Sequence, residues 1–365
     1  MTHPAEQLAI EESIHLSESE YNIAKRYLRS RTHMKQFFAS LALLDSIYVA
    51  GYQLPIALEE YRLSQTNPSL IQIQETPHNL AAETIVVGGF GILNAEPIAR
   101  ALSPLNEIGA VYALKQDNSG IDPQVIAQRI MDHATSTGLT EIGLWGDSIG
   151  GNLITKVGRI IQESNNSLRV RFMAFESSPT NFDTLQPDTQ NSINSLQTIS
   201  NFLPQIAEHP AINYLYAQQE VGHMPLKAGG GFGIRRAIDI MSAANQPSSS
   251  LLASQALMNV HNTMGDDLNA IGNVKDKKKP FVFFINPSNL KSDQIVNTKM
   301  AEHDEKQMAK KAGLASLSIL LPHISHGDPS MSPHEYDQML NNVLIPTVLA
   351  YDQSIGTRLT IKDRP

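Results

Sequence analysis

Three residues of this chain, Ser148, Asp293 and His326, occur in an order that could carry out acyl transfer. A serine hydroxyl is a poor nucleophile until a base removes its proton. An imidazole serves as that base only when a third group holds its ring in place. Ser148 lies in Gly146-Asp147-Ser148-Ile149-Gly150, a G-x-S-x-G pattern. The pattern carries meaning between a strand and a helix, where the turn is so sharp that the serine is strained and its hydroxyl exposed. The glycines, lacking Cβ, let strand and helix close on each other. Here the apolar run 142–145 drives into the motif and a helical pattern follows it.

The negative oxygen of a tetrahedral intermediate needs two donors. The Ile149 amide, at the helix start, is one. The other is expected from the loop Gly88-Gly89-Phe90-Gly91, through the amide of Phe90 or Gly89. The acid and base should follow the serine in chain order, each in a loop at the carboxyl end of a strand. The strand 281–285 leads to a loop containing Asp293, and the strand 317–321 leads to Pro322-His323-Ile324-Ser325-His326-Gly327-Asp328. Asp293 is taken as the acid, with Glu176 at the end of the preceding strand as its rival. His326 is taken as the base, with His323 as the alternative. Asp304 falls within a helical pattern and reads as a solvated charge.

The elements that must position these residues alternate regularly. An apolar β-branched strand (83–90) is followed by a helical segment (95–105) and a strand (110–114). A helix opening at Asp122-Pro123 comes next, with proline in a first-turn position that suits it. The serine strand, its helix to about residue 162, and a strand over 170–176 complete the first half. After 279 come the strand 281–285, a charged helix (297–312), the strand 317–321 and a closing helix (333–351). Such alternation predicts a mostly parallel sheet covered on both faces. Residues 177–279, rich in Asn, Ser, Gln and Pro, break the rhythm and are too long for a plain loop, so they read as an inserted cap. Its Gly229–Gly233 run reads as a hinge, since no Gly-Lys-Ser/Thr follows to cradle a phosphate. Residues 17–64 look helical, with Phe37, Leu41, Leu44 and Tyr48 on one face. The expected division is an extension (1–66), a core (67–176 and 280–365) and the cap (177–279).

The segment Gly146-Asp147-Ser148-Ile149-Gly150-Gly151-Asn152-Leu153 is similar to the serine elbow of the hormone-sensitive-lipase-like carboxylesterases. The alternation over about 83–350, less the insertion, resembles the α/β-hydrolase superfamily. Two positions depart from that subfamily. The loop Gly-Gly-Phe-Gly stands where those esterases carry His-Gly-Gly-Gly, and is closer to the His-Gly-Phe-Gly form with its histidine replaced. Asn286-Pro287 stands where they often carry Asp-Pro, which shifts the acid to Asp293. The resemblance implies an α/β-hydrolase fold and a serine hydrolase cleaving a small-molecule or lipid ester through an acyl-enzyme. Thioesters, amides and acyl transfer are compatible with the same core, as is a catalytically silent fold used for binding.

Composition narrows the classes further. The chain has 365 residues, no cysteine and a formal net charge of −8. That balance argues against general affinity for nucleic acid, and the absence of cysteine excludes disulfide and thiol chemistry. No helix-spaced histidine pair has an acidic partner, so neither a metal nor a cofactor is expected. Residues 1–19 lack the basic leader and apolar core of a signal peptide, and no run is long enough to span a bilayer. The expectation is a soluble, cytoplasmic protein, with signal-less secretion left open. The N-terminal helices could meet a membrane surface or a protein partner, though Asp45 weakens the former.

Overall fold

The structure is a computed structural model. It describes residues 54–75, 80–164, 166–187, 251, 254–255, 258, 262–289, 293, 295–322, 324, 326 and 329–356. The chain divides into two units, Met1–Leu58 and Glu59–Pro365. Of the first, only 54–58, the start of helix α1 (Leu54–Ser64), are described. The apolar face expected at 37–48 and the Gly229–Gly233 run lie outside the described residues.

The second unit is built on one seven-stranded sheet. Its strands are β1 (Ser69–Gln74), β2 (Ala82–Val87), β3 (Ala110–Lys115), β4 (Glu141–Asp147), β5 (Arg169–Glu176), β6 (Phe281–Pro287) and β7 (Ser316–Leu321). They lie in the order β1-β3-β2-β4-β5-β6-β7. Only β1 runs antiparallel to its neighbour; β2 to β7 are parallel. Strands β2, β4 and β5 are buried at every position, whereas β1 and β7 are part-exposed edges. Both faces of the central strands are apolar because helices cover both.

Side-chain alternation sends Ile85 and Val87 into one layer and Val86 into the other. The first layer is roofed by α3 (Pro123–Thr137), α4 (Gly150–Glu163) and α5 (Met264–Asn273), through Ile126, Ile130, Leu153, Val157, Leu268 and Ile271. The second is roofed by α2 (Glu96–Ala101), α7 (Pro333–Met339) and α8 (Ile345–Ser354), through Ile98, Tyr336, Met339 and Val348. Helix α6 (Thr298–Ala312) joins β6 to β7. The capping chemistry is local: the Asp122 carboxylate accepts the Gln124 amide at the start of α3, and Gly138, at φ 67°, ends it.

Several expected elements are corrected. The helix expected over 95–105 stops at Ala101 and continues as a 3₁₀ turn, Ser103–Glu107, because Pro104 has no N–H to extend an α-helix. The single closing helix is interrupted by a π turn, Leu340–Leu344, just ahead of Pro346, which likewise donates no hydrogen bond. One part of the stretch expected as the cap packs on the sheet. Helix α5 packs against α4 and α6 and buries Met264, Leu268 and Ile271 in the first apolar layer, so it belongs to the core. Residues 188–250 lie outside the described residues. Asp304 is not a free surface charge: it accepts the Asn181 Nδ2–H at 2.7 Å and the Thr180 hydroxyl at 3.3 Å.

Two buried polar groupings brace the sheet. At the amino ends of β4 and β5, Arg169 binds Glu141 (2.8 Å) and Asp352 (3.2 Å), while Arg171 binds Asp352 (2.6 Å) and the Ile108 carbonyl (2.7 Å). Arg171 falls at a bulge, where the pairing jumps from Ile142–Val170 to Gly143–Phe172, and the extra residue turns its side chain to α8. Burial pushes the Glu141 carboxyl up, against the pull of Arg169 and Arg171. Near the other end, Asn286 at the end of β6 donates to Glu305 of α6 at 2.8 Å, and both residues are fully buried. Burial pushes the Glu305 carboxyl from 4.5 up to about 8; Glu302 and Asp304 add to the rise and Lys306 opposes it.

Among the described residues, no helix is long and apolar enough to cross a membrane. Two stability predictions follow from the buried groups. Asp352→Ala leaves two buried guanidiniums short of their shared carboxylate and should cost about 3–5 kcal/mol in urea unfolding. For Glu305, the unfolded chain releases a proton above 4.5 that the folded chain keeps until about 8. Stability is therefore lost as pH rises through that window and levels off above it. Glu305→Gln should flatten this slope, so the variant's stability relative to wild type should rise from pH ~5 to ~8, measured by urea unfolding at each pH.

Candidate active site

The carboxyl ends of β2, β4, β6 and β7 bring the candidate residues together. Ser148 follows β4 directly and has φ 50°, a left-handed conformation that non-glycine residues seldom adopt. Its N–H donates to the Glu176 carbonyl at 2.7 Å, and its carbonyl accepts the Gly151 amide at 3.0 Å, so the strained turn is held at both sides. The turn closes only because the flanking residues lack side chains. A Cβ on Gly146 would lie 2.5 Å from the Gly150 carbonyl oxygen, and one on Gly150 would lie 2.8 Å from that of Val87. Helix α4 begins at Gly150, with Ile149 as its N-cap residue.

His326 lies beyond β7. Its Nε2 is 2.7 Å from Ser148 Oγ, and its Nδ1 is 2.9 Å from Asp293 Oδ2. The second oxygen of Asp293 accepts the amides of Ile295 (2.9 Å) and Val296 (2.8 Å), a local Asx-type turn that orients the carboxylate. Asp293 is buried and His326 is part-buried. With Asp293 aligned on Nδ1, the imidazole would present an unprotonated Nε2 to the serine hydroxyl, the tautomer a general base requires.

The loop bearing Asp293 is held by the segment just after β5. Leu185 forms a bridge with Val296, Gln186 N–H donates to the Ile295 carbonyl and Asn297 N–H to the Thr184 carbonyl. The Gln186 carboxamide adds a bond to the Asp293 carbonyl.

Glu176, the rival acid, is occupied elsewhere. It accepts the Trp145 indole N–H at 3.1 Å and the Tyr336 hydroxyl, in the layer under α7. The alternation of β5 turns its side chain to the face opposite α4, so it is not paired with His326. The alternative base, His323, lies outside the described residues.

Of the two loop amides considered for the oxyanion, the structure separates Gly89 from Phe90. The Gly89 N–H donates to Asp147 Oδ2 at 3.3 Å and is thereby engaged within the turn. The amides of Phe90 and Ile149 have no acceptor among the described residues. Gly89 abuts the serine closely, since a Cβ there would sit 2.9 Å from Ser148 Cβ. The loop that carries Phe90 is a tight turn: Ile92 N–H returns to the Gly89 carbonyl at 3.2 Å, and Gly91 has φ 77°. That bond with a left-handed third residue is the pattern of a type II turn, which requires glycine there.

Sequence reasoning missed the partners that hold these loops: Asp147 on the Gly89 amide, Gln186 on the acid loop, and Gln255, whose Oε1 accepts the Gly91 amide at 2.8 Å. The G-D-S pattern was the one available signal for the first; the other two are long-range contacts without a local pattern. Among the described residues, no group of three or more His, Asp or Glu side chains could hold a metal ion.

No protein-family model matches this chain, and no curated protein does. Solved structures do resemble it. A carboxylesterase of the ammonia-oxidizing thaumarchaeon Nitrososphaera gargenis is 14% identical, covering 78% of this chain and 97% of its own, with a TM-score of 0.48. A thermophilic esterase from Thermogutta terrifontis is 14% identical over 78% of this chain and 94% of its own, at 0.46. The monoacylglycerol lipase of Paleococcus ferrophilus is 12% identical over 78% and 99%, at 0.45.

The elbow generates a direct test. Gly146→Ala places a methyl against fixed backbone at 2.5 Å. It should destabilise the protein by about 1–3 kcal/mol or more, read by thermal unfolding. The strand order with its one antiparallel edge, the strained serine between β4 and α4, and the succession of serine, acid and histidine loops along one sheet edge together make this an α/β-hydrolase fold.

Proposed function

We propose that this protein is a serine hydrolase that cleaves a carboxylic ester through an acyl-enzyme. The observation that carries this reading is the unbroken chain from Ser148 Oγ to His326 Nε2 at 2.7 Å and from His326 Nδ1 to Asp293 at 2.9 Å. Ser148 Oγ attacks the acyl carbon as its proton passes to Nε2. The amides of Ile149 and Phe90 stabilise the negative oxygen, and the imidazolium returns its proton to the leaving alcohol. Water, activated by the same nitrogen, then releases the acid.

A fluorophosphonate probe should label the wild-type protein and fail to label Ser148→Ala. Hydrolysis of p-nitrophenyl esters from acetate to palmitate should vanish in Ser148→Ala, with the chain-length optimum sizing the acyl pocket. Asp293→Asn should lower kcat by about 10³–10⁴-fold through the wrong imidazole tautomer, while Glu176→Gln keeps kcat within a few-fold. Wild-type protein that neither turns over these esters nor takes the probe between pH ~6 and ~9 would overturn the proposal.

A further inference from the structure

The loop that presents the Phe90 amide is locked by a residue far away in the chain. Gln255 lies within the stretch expected to form the cap, yet it is buried, and its neighbours at helical spacing, Leu251 and Met258, are buried in the first apolar layer. Leu251, Gln255 and Met258 are therefore packed on the core. From there the Gln255 carboxamide reaches the 89–92 turn. Oε1 accepts the Gly91 N–H at 2.8 Å, while Nε2 donates to Gln116 Oε1 at 3.2 Å and weakly to the Ile92 carbonyl at 3.4 Å. Gln116 is itself buried, and its backbone N–H donates to the Leu93 carbonyl at 2.8 Å.

The geometry gives each of these bonds a purpose. Types I and II turns differ by a flip of the central peptide, here the one joining Phe90 to Gly91. The N–H of that peptide is the one Gln255 accepts, so the carboxamide selects one of the two orientations. The preceding peptide, Gly89–Phe90, carries the Phe90 N–H, and its carbonyl is fixed by the Ile92 amide. Gly89 is fixed in turn by Asp147. Gln116 determines which end of the Gln255 carboxamide faces the turn, because only Nε2 can donate to an oxygen.

We propose that Gln255 is a positioning residue for the oxyanion donor: by accepting the Gly91 N–H while anchored on Gln116, it holds the 89–92 turn in the one arrangement that presents the Phe90 amide beside Ser148. The proposal rests on the hydrolase reading above. Gln255 touches no reacting atom. Its effect is on preorganisation, which acts on the transition state and leaves ground-state binding nearly unchanged.

The test compares wild type with Gln255→Leu and Gln255→Glu, using a p-nitrophenyl ester, an alkyl boronic acid and amide hydrogen exchange at Gly91. Gln255→Leu should lower kcat by about 10–100-fold with KM within about twofold. Affinity for the boronic acid, whose adduct on Ser148 carries a negative oxygen, should fall by a similar factor, and the Gly91 amide should exchange faster. Gln255→Glu keeps an oxygen for Gly91. Relative to wild type at the same pH, its activity should fall as pH rises, because burial favours a protonated carboxyl that can donate to Gln116, whereas the ionised form sets a charge against that oxygen.

A folded Gln255→Leu with kcat and boronate affinity within about twofold of wild type overturns the proposal, as does a loss confined to KM. If Gln255→Leu does not fold, the pH profile of Gln255→Glu decides, and a profile matching wild type overturns it. The exchange measurement separates the two readings. Loss of Gly91 protection in Gln255→Leu when wild type itself is inert to ester and probe means that the hydrolase reading failed and the loop lock stands. Unchanged protection means that the lock failed.

Discussion

The structure depends on a close approach of backbones at the serine turn. Strand β4 must end and helix α4 begin within a few residues, with Val87 of β2 pressed against the helix start. The chain manages this with Gly146 and Gly150, where a Cβ would fall 2.5 and 2.8 Å from backbone oxygens. The residue between them bears the strain: Ser148 sits at φ 50°, a conformation costing on the order of 1–3 kcal/mol. It persists because the sheet over-determines it, through the Ser148 amide on the Glu176 carbonyl and the packing of Leu153, Val157 and Ile161 into the first layer. The turn has a chemical consequence: the Ser148 hydroxyl meets His326, and the Ile149 amide at the helix start has no acceptor among the described residues.

Bracing around this point comes from both faces and from the far edge of the sheet. On the face opposite α4, Trp145 and Tyr336 converge on Glu176, so the last residue of β5 ties the serine strand to α7. At the amino ends of β4 and β5, two arginines and two carboxylates join the strands to α8. A buried set of this kind adds little net stability compared with apolar packing, but it is strongly destabilising when one member is lost. It lies at the end of the sheet remote from Ser148.

The two described margins of the long inserted stretch touch different parts of the site. The segment 184–186 pairs with the loop bearing Asp293, and Gln255 grips the loop bearing Phe90. The loops bearing Asp293 and Phe90 are thus each fastened by chain that lies outside the alternating strands and helices. Through hydrogen bonds to backbone groups, these described margins act as part of the core.

Much of the architecture was legible in the sequence because its signals are local. Apolar runs of strand length alternating with helical patterns specify a parallel sheet, and the G-x-S-x-G motif between a strand and a helix specifies the turn. The order of Ser148, Asp293 and His326 follows from where the strands end. Local prolines at 104 and 346 also explain why two helices are shorter than their apolar patterns. What the sequence left open were choices between neighbours. Asp293 and Glu176 both end a strand or follow one, and only the alternation of β5 in the folded sheet decides which carboxylate meets an imidazole and which meets Trp145. Gly89 and Phe90 are adjacent amides, separated only when Asp147 claims one of them. Asp304, Arg171 and Gln255 were opaque for the same reason: their partners are distant in the chain, and a hydrogen bond across such a separation leaves no periodicity to read. Local sequence determined the strands, the turn and the order of the candidate groups, whereas the tertiary structure alone decided their pairing, because pairing depends on which face and which loop each side chain shares.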